Sequence, residues 1–138
     1  MDRQKNFPVF VSVVDDELDL ALLFRDALSQ IPGIDVIAFS DPSLALEHYR
    51  VNHERYGCVI SDYRMPSMNG IQLLTKIKEI NPEVTGMLIS AFQIDEDTFK
   101  KCECFDTFLQ KPVSMKDLIE QTQRQLGNRL KIKSNKKP

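Results

Sequence analysis

Three aspartates, a serine and a lysine stand where their side chains could act together on a phosphoryl group. Asp15, Asp16, Asp62, Ser90 and Lys111 follow short apolar runs, with spacings of 47 residues from Asp15 to Asp62, 28 to Ser90 and 21 to Lys111. Carboxylates are hard oxygen ligands. Asp16 and Asp62, with Asp15 behind them, suit magnesium, which is held by one or two carboxylates and keeps several waters. Without a cation, three such charges repel one another strongly. A carboxylate can also form an aspartyl-phosphate, and Asp62 is the natural nucleophile. The Ser90 hydroxyl could donate to one phosphoryl oxygen and the Lys111 ammonium could pair with another. Positioning and electrostatics are most of what phosphoryl transfer asks of a protein. Ala91, beside Ser90, is small enough to leave access to the acceptor.

Taken singly, these residues have ordinary readings: Asp15 and Asp16 as helix N-caps, Asp62 as a turn starter, Lys111 as a solvated charge. What sets them apart is the scaffold that must position them. Val9 to Val14 is a nearly continuous β-branched run, the pattern of a strand buried on both faces in a parallel sheet. Leu20, Leu23, Phe24, Ala27 and Ile31 then mark an amphipathic helix that stops at Pro32-Gly33. Ile34 to Phe39 reads as a strand, and Asp41-Pro42 caps a helix to about Asn52. Cys58 to Ile60 is a third strand. A loop from Asp62 to Asn69 leads to a helix from Gly70 to Ile80, ended by Asn81-Pro82. Val84 to Ile89 is a fourth strand, Asp95 to Cys102 a short acidic helix and Phe105 to Leu109 a fifth strand. Ser114 caps a last helix on which Met115, Leu118, Ile119 and Leu126 share a face, with Gly127 as its stop. Five alternations of strand and helix imply a doubly wound α/β fold with helices on both faces of a parallel sheet. In such a fold ligands bind at the carboxyl ends of the strands, where the five residues fall.

Composition bounds the rest. The chain has 138 residues, 42% of them hydrophobic, enough for one domain and one core. No apolar run approaches the roughly 20 residues of a membrane span, and the first ten residues do not read as a secretory signal. A soluble, cytoplasmic protein is expected, and Met1 favours a natural amino terminus. Cys58, Cys102 and Cys104 have no zinc-like spacing and read as reduced structural thiols. The net charge of −2 conceals an asymmetry. Residues 129–138 hold five basic groups and no acid, leaving 13 basic and 20 acidic residues before them, a net of −7. An acidic body does not invite nucleic acid. The basic end reads as a flexible, solvated tail. His48 and His53 read as surface residues on or just after the second helix.

The segments Val13-Val14-Asp15-Asp16, Asp62-Tyr63-Arg64-Met65-Pro66-Ser67-Met68-Asn69-Gly70, Ser90-Ala91 and Lys111-Pro112 resemble the signature of the response-regulator receiver domain of two-component signalling, in its single-domain, chemotaxis-regulator-like form. The likeness covers residues 8–128, with residues 1–7 as an N-terminal extension. It implies a flavodoxin-like (βα)5 fold with strand order 2-1-3-4-5. It assigns Asp62 as phosphoacceptor, with Asp15, Asp16, Asp62 and the backbone carbonyl of Arg64 around magnesium, manganese being the alternative ion. It places Ser90 at a hydroxyl switch position, Phe108 at an aromatic one, and a cis bond at Lys111-Pro112. The implied function is a phosphorelay switch, charged by a histidine kinase or phosphotransfer protein, that changes its affinity for a protein target, as a monomer or a phosphorylation-dependent dimer. It is not an enzyme beyond catalysing phosphorylation and dephosphorylation of its own aspartate. In this family the first and last helices face the phosphodonor, which makes Leu18 and Leu22 candidate contacts. Arg64 and Phe92 sit where the family tunes water access to the acyl phosphate.

Two other readings use the same residues. A magnesium-dependent hydrolase of the haloacid dehalogenase type also forms an aspartyl-phosphate, but it needs a second acid two residues after the nucleophile, where this chain has Arg64. A phosphorylation-independent binding module on the same fold would leave the acidic pocket without a purpose.

Overall fold

The computed structural model describes residues 8–135; for Glu96, Phe99, Lys100 and residues 128–135 the description is of the backbone alone. The N-terminal extension and the last three residues lie outside the described residues.

Five parallel strands, β1 (Val9–Val14), β2 (Ile34–Phe39), β3 (Tyr56–Asp62), β4 (Thr85–Ser90) and β5 (Thr107–Gln110), form one sheet in the order β2-β1-β3-β4-β5. Pairing is in register along β1 and β2 from Val9↔Ile34 to Val14↔Phe39, and along β3 and β4 to Asp62↔Ile89. The helices are α1 (Leu18–Leu28), α2 (Pro42–Asn52), α3 (Gly70–Ile80), α4 (Glu96–Lys101) and α5 (Met115–Asn135). This is the flavodoxin-like arrangement expected from the sequence.

All six residues of β1 are buried, and their alternation supplies two cores. Val9, Val11 and Val13 join Phe24 and Leu28 of α1 and Leu118 and Leu126 of α5 on one face; Phe10 and Val14 join Leu46, Tyr49, Leu74 and Ile77 of α2 and α3 on the other. Each fully buried leucine contributes about 1.5–3 kcal/mol. The helix starts follow local chemistry. Asp41 accepts the Ser43 N–H at 2.8 Å ahead of Pro42, Ser114 accepts the Asp117 N–H at 3.0 Å, and Asn69 and Gln72 form a reciprocal capping box at α3.

Four expectations are corrected. The buried stripe of α1 is Ala21, Phe24, Ala27 and Leu28, while Leu23 is 52% exposed, because packing against the sheet selects one of two overlapping apolar stripes in a leucine-rich helix. The last helix does not stop at Gly127 but runs on to Asn135. A helical glycine costs only about 1 kcal/mol relative to alanine, and Arg129, Leu130, Lys131 and Lys133 beyond it are good helix formers. Cys102 and Cys104 are not separate thiols: they are joined in a disulfide, with Cα atoms 5.4 Å apart, inside the usual span for that bond. His48 is not a simple surface residue. It is half-buried, its Nδ1 lies 2.7 Å from the Tyr56 hydroxyl, and its ring packs on Phe10 and Phe39.

Candidate functional site

The carboxyl ends of β1, β3, β4 and β5 bring the sequence candidates together. The Asp15 N–H donates to the Phe39 carbonyl at 3.0 Å, extending the β1–β2 pairing by one residue. Its side chain is thereby buried, 2% exposed. One carboxylate oxygen, Oδ1, accepts the Glu17 N–H at 2.9 Å, and Oδ2 lies 3.3 Å from Lys111 Nζ. Asp16 is exposed at the rim.

Asp62 closes β3. Its Oδ1 accepts the Tyr63 N–H at 3.0 Å and lies 3.2 Å from Lys111 Nζ. The buried Ser61 hydroxyl donates to the Asp62 carbonyl at 2.9 Å. That carbonyl also sits against Gly70 at the start of α3, so closely that a Cβ on Gly70 would collide with it. The Gly70 N–H reaches the Tyr63 carbonyl at 2.7 Å. The loop between them passes through Ser67 with φ of 68°.

Ser90 is the last residue of β4 and is buried. Its Oγ accepts the Phe92 N–H at 3.0 Å, which leaves its own hydroxyl proton free to donate elsewhere. The Ser90 carbonyl accepts the Lys111 N–H at 2.7 Å, so the backbone of β4 places the lysine. The Lys111-Pro112 bond is cis.

Carboxylate oxygens of Asp15, Asp16 and Asp62 all lie within 4.8 Å of one another. Among the described residues, Lys111 is the cation that contacts this cluster, bridging Asp15 and Asp62. Burial pushes the Asp62 carboxyl up from its ordinary value and Asp15 adds to the shift, while Lys111 and the Tyr63 N–H oppose it. Burial alone would lower the Lys111 ammonium, but Asp15 and Asp62 outweigh it and hold it above its ordinary value. The pocket therefore carries more negative charge than one ammonium balances. Hard oxygen donors and uncompensated charge fit a divalent cation.

The remaining candidates take other places. Phe108 on β5 pairs with Leu88 and is half-buried against the α2–α3 core. Leu18 at the start of α1 is 48% exposed, and Leu22, one turn on, is half-buried. Arg64 is exposed in the β3–α3 loop, and its guanidinium lies over the Phe92 ring, 4.3 Å from the centroid. Sequence reading had singled out both residues but not their contact, which joins two loops 28 positions apart. It missed Ser61 as well; a serine amid the apolar run of β3 was the available signal.

A family model described as "Response regulator receiver domain" matches residues 11–123. The response regulator receiver protein CpdR of Brucella abortus is 26% identical over 121 residues, covering 84% of this chain and 95% of that protein. Several curated relatives are longer, and this chain spans half or less of their length. A receiver domain protein of Clostridium thermocellum superposes with a TM-score of 0.78 at 26% identity, over 90% of this chain and 98% of that one. The CheX–CheY–BeF3–magnesium complex of Borrelia burgdorferi superposes at 0.76 and 24% identity, over 90% and 93%, and bears on the fold alone.

Proposed function

The chain belongs to the response regulator receiver family of two-component signalling, and from that premise we propose that Asp62 is its phosphoacceptor, with Asp15 and Asp16 as metal ligands and Ser90 and Lys111 as phosphoryl-binding groups. The observation that carries this reading is the Lys111 ammonium bridging Asp15 and Asp62 beside a third carboxylate. Magnesium held by Asp15, Asp16, Asp62 and the Arg64 carbonyl, with manganese as its substitute, would neutralise charge on the transferring group. The Borrelia complex pairs a protein of this fold with that ion.

The donor is a phosphohistidine on a histidine kinase or phosphotransfer protein. An Asp62 carboxylate oxygen forms the new bond to phosphorus while the phosphorus–nitrogen bond breaks, and its electron pair stays on the imidazole, which takes up a proton. Lys111, already 3.2 Å from Asp62, turns to one phosphoryl oxygen. Ser90 donates its hydroxyl proton, which its acceptance of the Phe92 N–H leaves free, to another. Phe108, two β4–β5 rungs below Ser90↔Gln110, then repacks and alters the surface offered to a protein target. Leu18 and Leu22 form part of the donor-docking surface. The acyl phosphate ends in hydrolysis, so turnover is confined to the protein's own aspartate.

The test is incubation of the chain with acetyl phosphate and magnesium, read by mass spectrometry. One phosphoryl group should be gained, and none with EDTA or in Asp62→Asn. Equal labelling of Asp62→Asn would sink the assignment.

A further inference from the structure

The connection from α4 to β5 holds the disulfide between Cys102 and Cys104, and its two halves are anchored unequally. Cys104 is 4% exposed and is followed by Phe105 at 8%. Their backbone lies so close on Gly86 that a Cβ there would stand 2.5 Å from the Cys104 carbonyl oxygen. Asp106, the next residue, donates its N–H to the Gly86 carbonyl at 2.7 Å and accepts from the Gly86 N–H at 2.9 Å and Lys78 Nζ at 2.7 Å. Cys104 is thus a fixed post on the sheet. Cys102 is half-buried at the end of α4, its N–H on the Thr98 carbonyl at 3.0 Å. α4 has six residues, well below the roughly 12–15 that an isolated helix needs to persist in water. The disulfide ties the last turn of a marginal helix to a rigid strand end.

We propose that Cys102–Cys104 is a thiol–disulfide exchange site for dithiol reductants, and that its redox state sets the order of α4. A reductant thiolate attacks the more accessible sulfur, on Cys102; the Cys102–Cys104 bond breaks, and Cys104 leaves as a thiolate that takes up a proton. The reductant's second thiolate attacks its own sulfur in the mixed disulfide and releases Cys102, so the protein gains two electrons and two protons and the dithiol becomes a disulfide. A ring closed over three residues constrains the unfolded chain much less than a long loop does. The consequence is therefore local, in α4, rather than a change in global stability. The segment affected begins just after Ser90 and Phe92 and ends just before Phe108 and Lys111, so a redox signal enters between the hydroxyl and the ammonium of the site.

The test uses the full chain after exposure to oxidised glutathione and again after dithiothreitol. Under denaturing conditions the oxidised protein should titrate one thiol, Cys58, and the reduced protein all three. Backbone amides of 95–102 should exchange hydrogen roughly tenfold faster when reduced and slow again on reoxidation. Cys102→Ser/Cys104→Ser should exchange like the reduced protein whatever the reductant, and Cys58→Ser should keep the response. Three titratable thiols after oxidised glutathione, identical exchange in the two states, or a double variant that exchanges as slowly as the oxidised protein would each overturn the proposal. Neither readout involves a phosphoryl group, so its failure is distinct from failure of the Asp62 assignment.

Discussion

The guanidinium of Arg64 covers the ring of the half-exposed Phe92, joining the loop after Asp62 to the loop after Ser90. An exposed cation–π contact is worth about 0.5–1 kcal/mol. Loss of either partner should open the approach of water to phosphorylated Asp62. Phe92→Ala and Arg64→Ala are each expected to speed hydrolysis about two- to fivefold, and the double variant no more than either alone. Decay of the phosphorylated protein, timed by phosphate-affinity gel, checks both numbers.

Asp62 has a carboxyl raised by burial and by Asp15, so its ionised form is disfavoured on folding. The stability it contributes is complete below its unfolded pKa and is lost as pH rises through the higher folded one. At neutral pH without metal, Asp62→Asn should therefore melt higher than wild type. Because the side chain retains solvent contact, screening keeps the gain below about 1 kcal/mol, a rise in Tm of no more than about 5 °C. Magnesium should raise the Tm of wild type and leave the variant nearly unmoved, as thermal unfolding with and without EDTA will report.

Removing the Lys111 ammonium acts on two quantities in opposite directions. Lys111→Met leaves Asp15 and Asp62 facing each other without their bridging cation, so the metal-free protein should lose stability. The vacated charge should make magnesium bind more tightly, while phosphorylation from a small donor falls about 100-fold for want of the clamp on the phosphoryl oxygen. Calorimetric titration with magnesium and a labelling time course separate the two.

Ser67 holds a positive φ in the loop that brings Gly70 back against Asp62. An L-residue there costs about 1–2 kcal/mol, partly offset by the greater unfolded-state freedom of glycine. Ser67→Gly should raise stability by about 0.5–1 kcal/mol and Ser67→Val should lower it, measured as the urea midpoint at unchanged slope.

His48 is held below its ordinary value of 6.5 by burial, with Asp35 opposing. A depressed folded pKa gives stability that is present above the unfolded value and lost as pH falls through the folded one. Acidification below about pH 6.5 should therefore destabilise wild type more than His48→Gln. Urea unfolding across that range tests the sign. Tyr56, the partner of His48, is itself pushed up to about 12, chiefly by burial, so its phenol remains protonated throughout.

Much of this architecture was legible because local signals agreed with the global fold. The β-branched run of β1, the Asp41-Pro42 start of α2 and the Asn81-Pro82 end of α3 each have one plausible reading, and the five chemical residues follow from where the strands stop. What escaped was set by packing between distant segments. Leu18, Leu20, Leu22 and Leu23 crowd α1 with apolar positions, and only the sheet and α5 decide that Ala21 and Phe24 face inward. His48 is drawn into an aromatic cluster with Phe10 of β1, Phe39 of β2 and Tyr56 of β3, partners that the helical spacing of α2 does not point to. The Cys102–Cys104 link depends on a geometry that residue spacing does not reveal.

Asp15 and Lys111, in ion-pair contact at the heart of the site, are 96 residues apart in the chain, and the lysine follows the last strand to be synthesised. The last of the three carboxylates, on Asp62, is synthesised 49 residues before the ammonium. The proposed capacity to hold a phosphoryl group is thus deferred until β5 and the residue after it have been made, and a chain that stops short of them has no complete pocket for a phosphoryl donor.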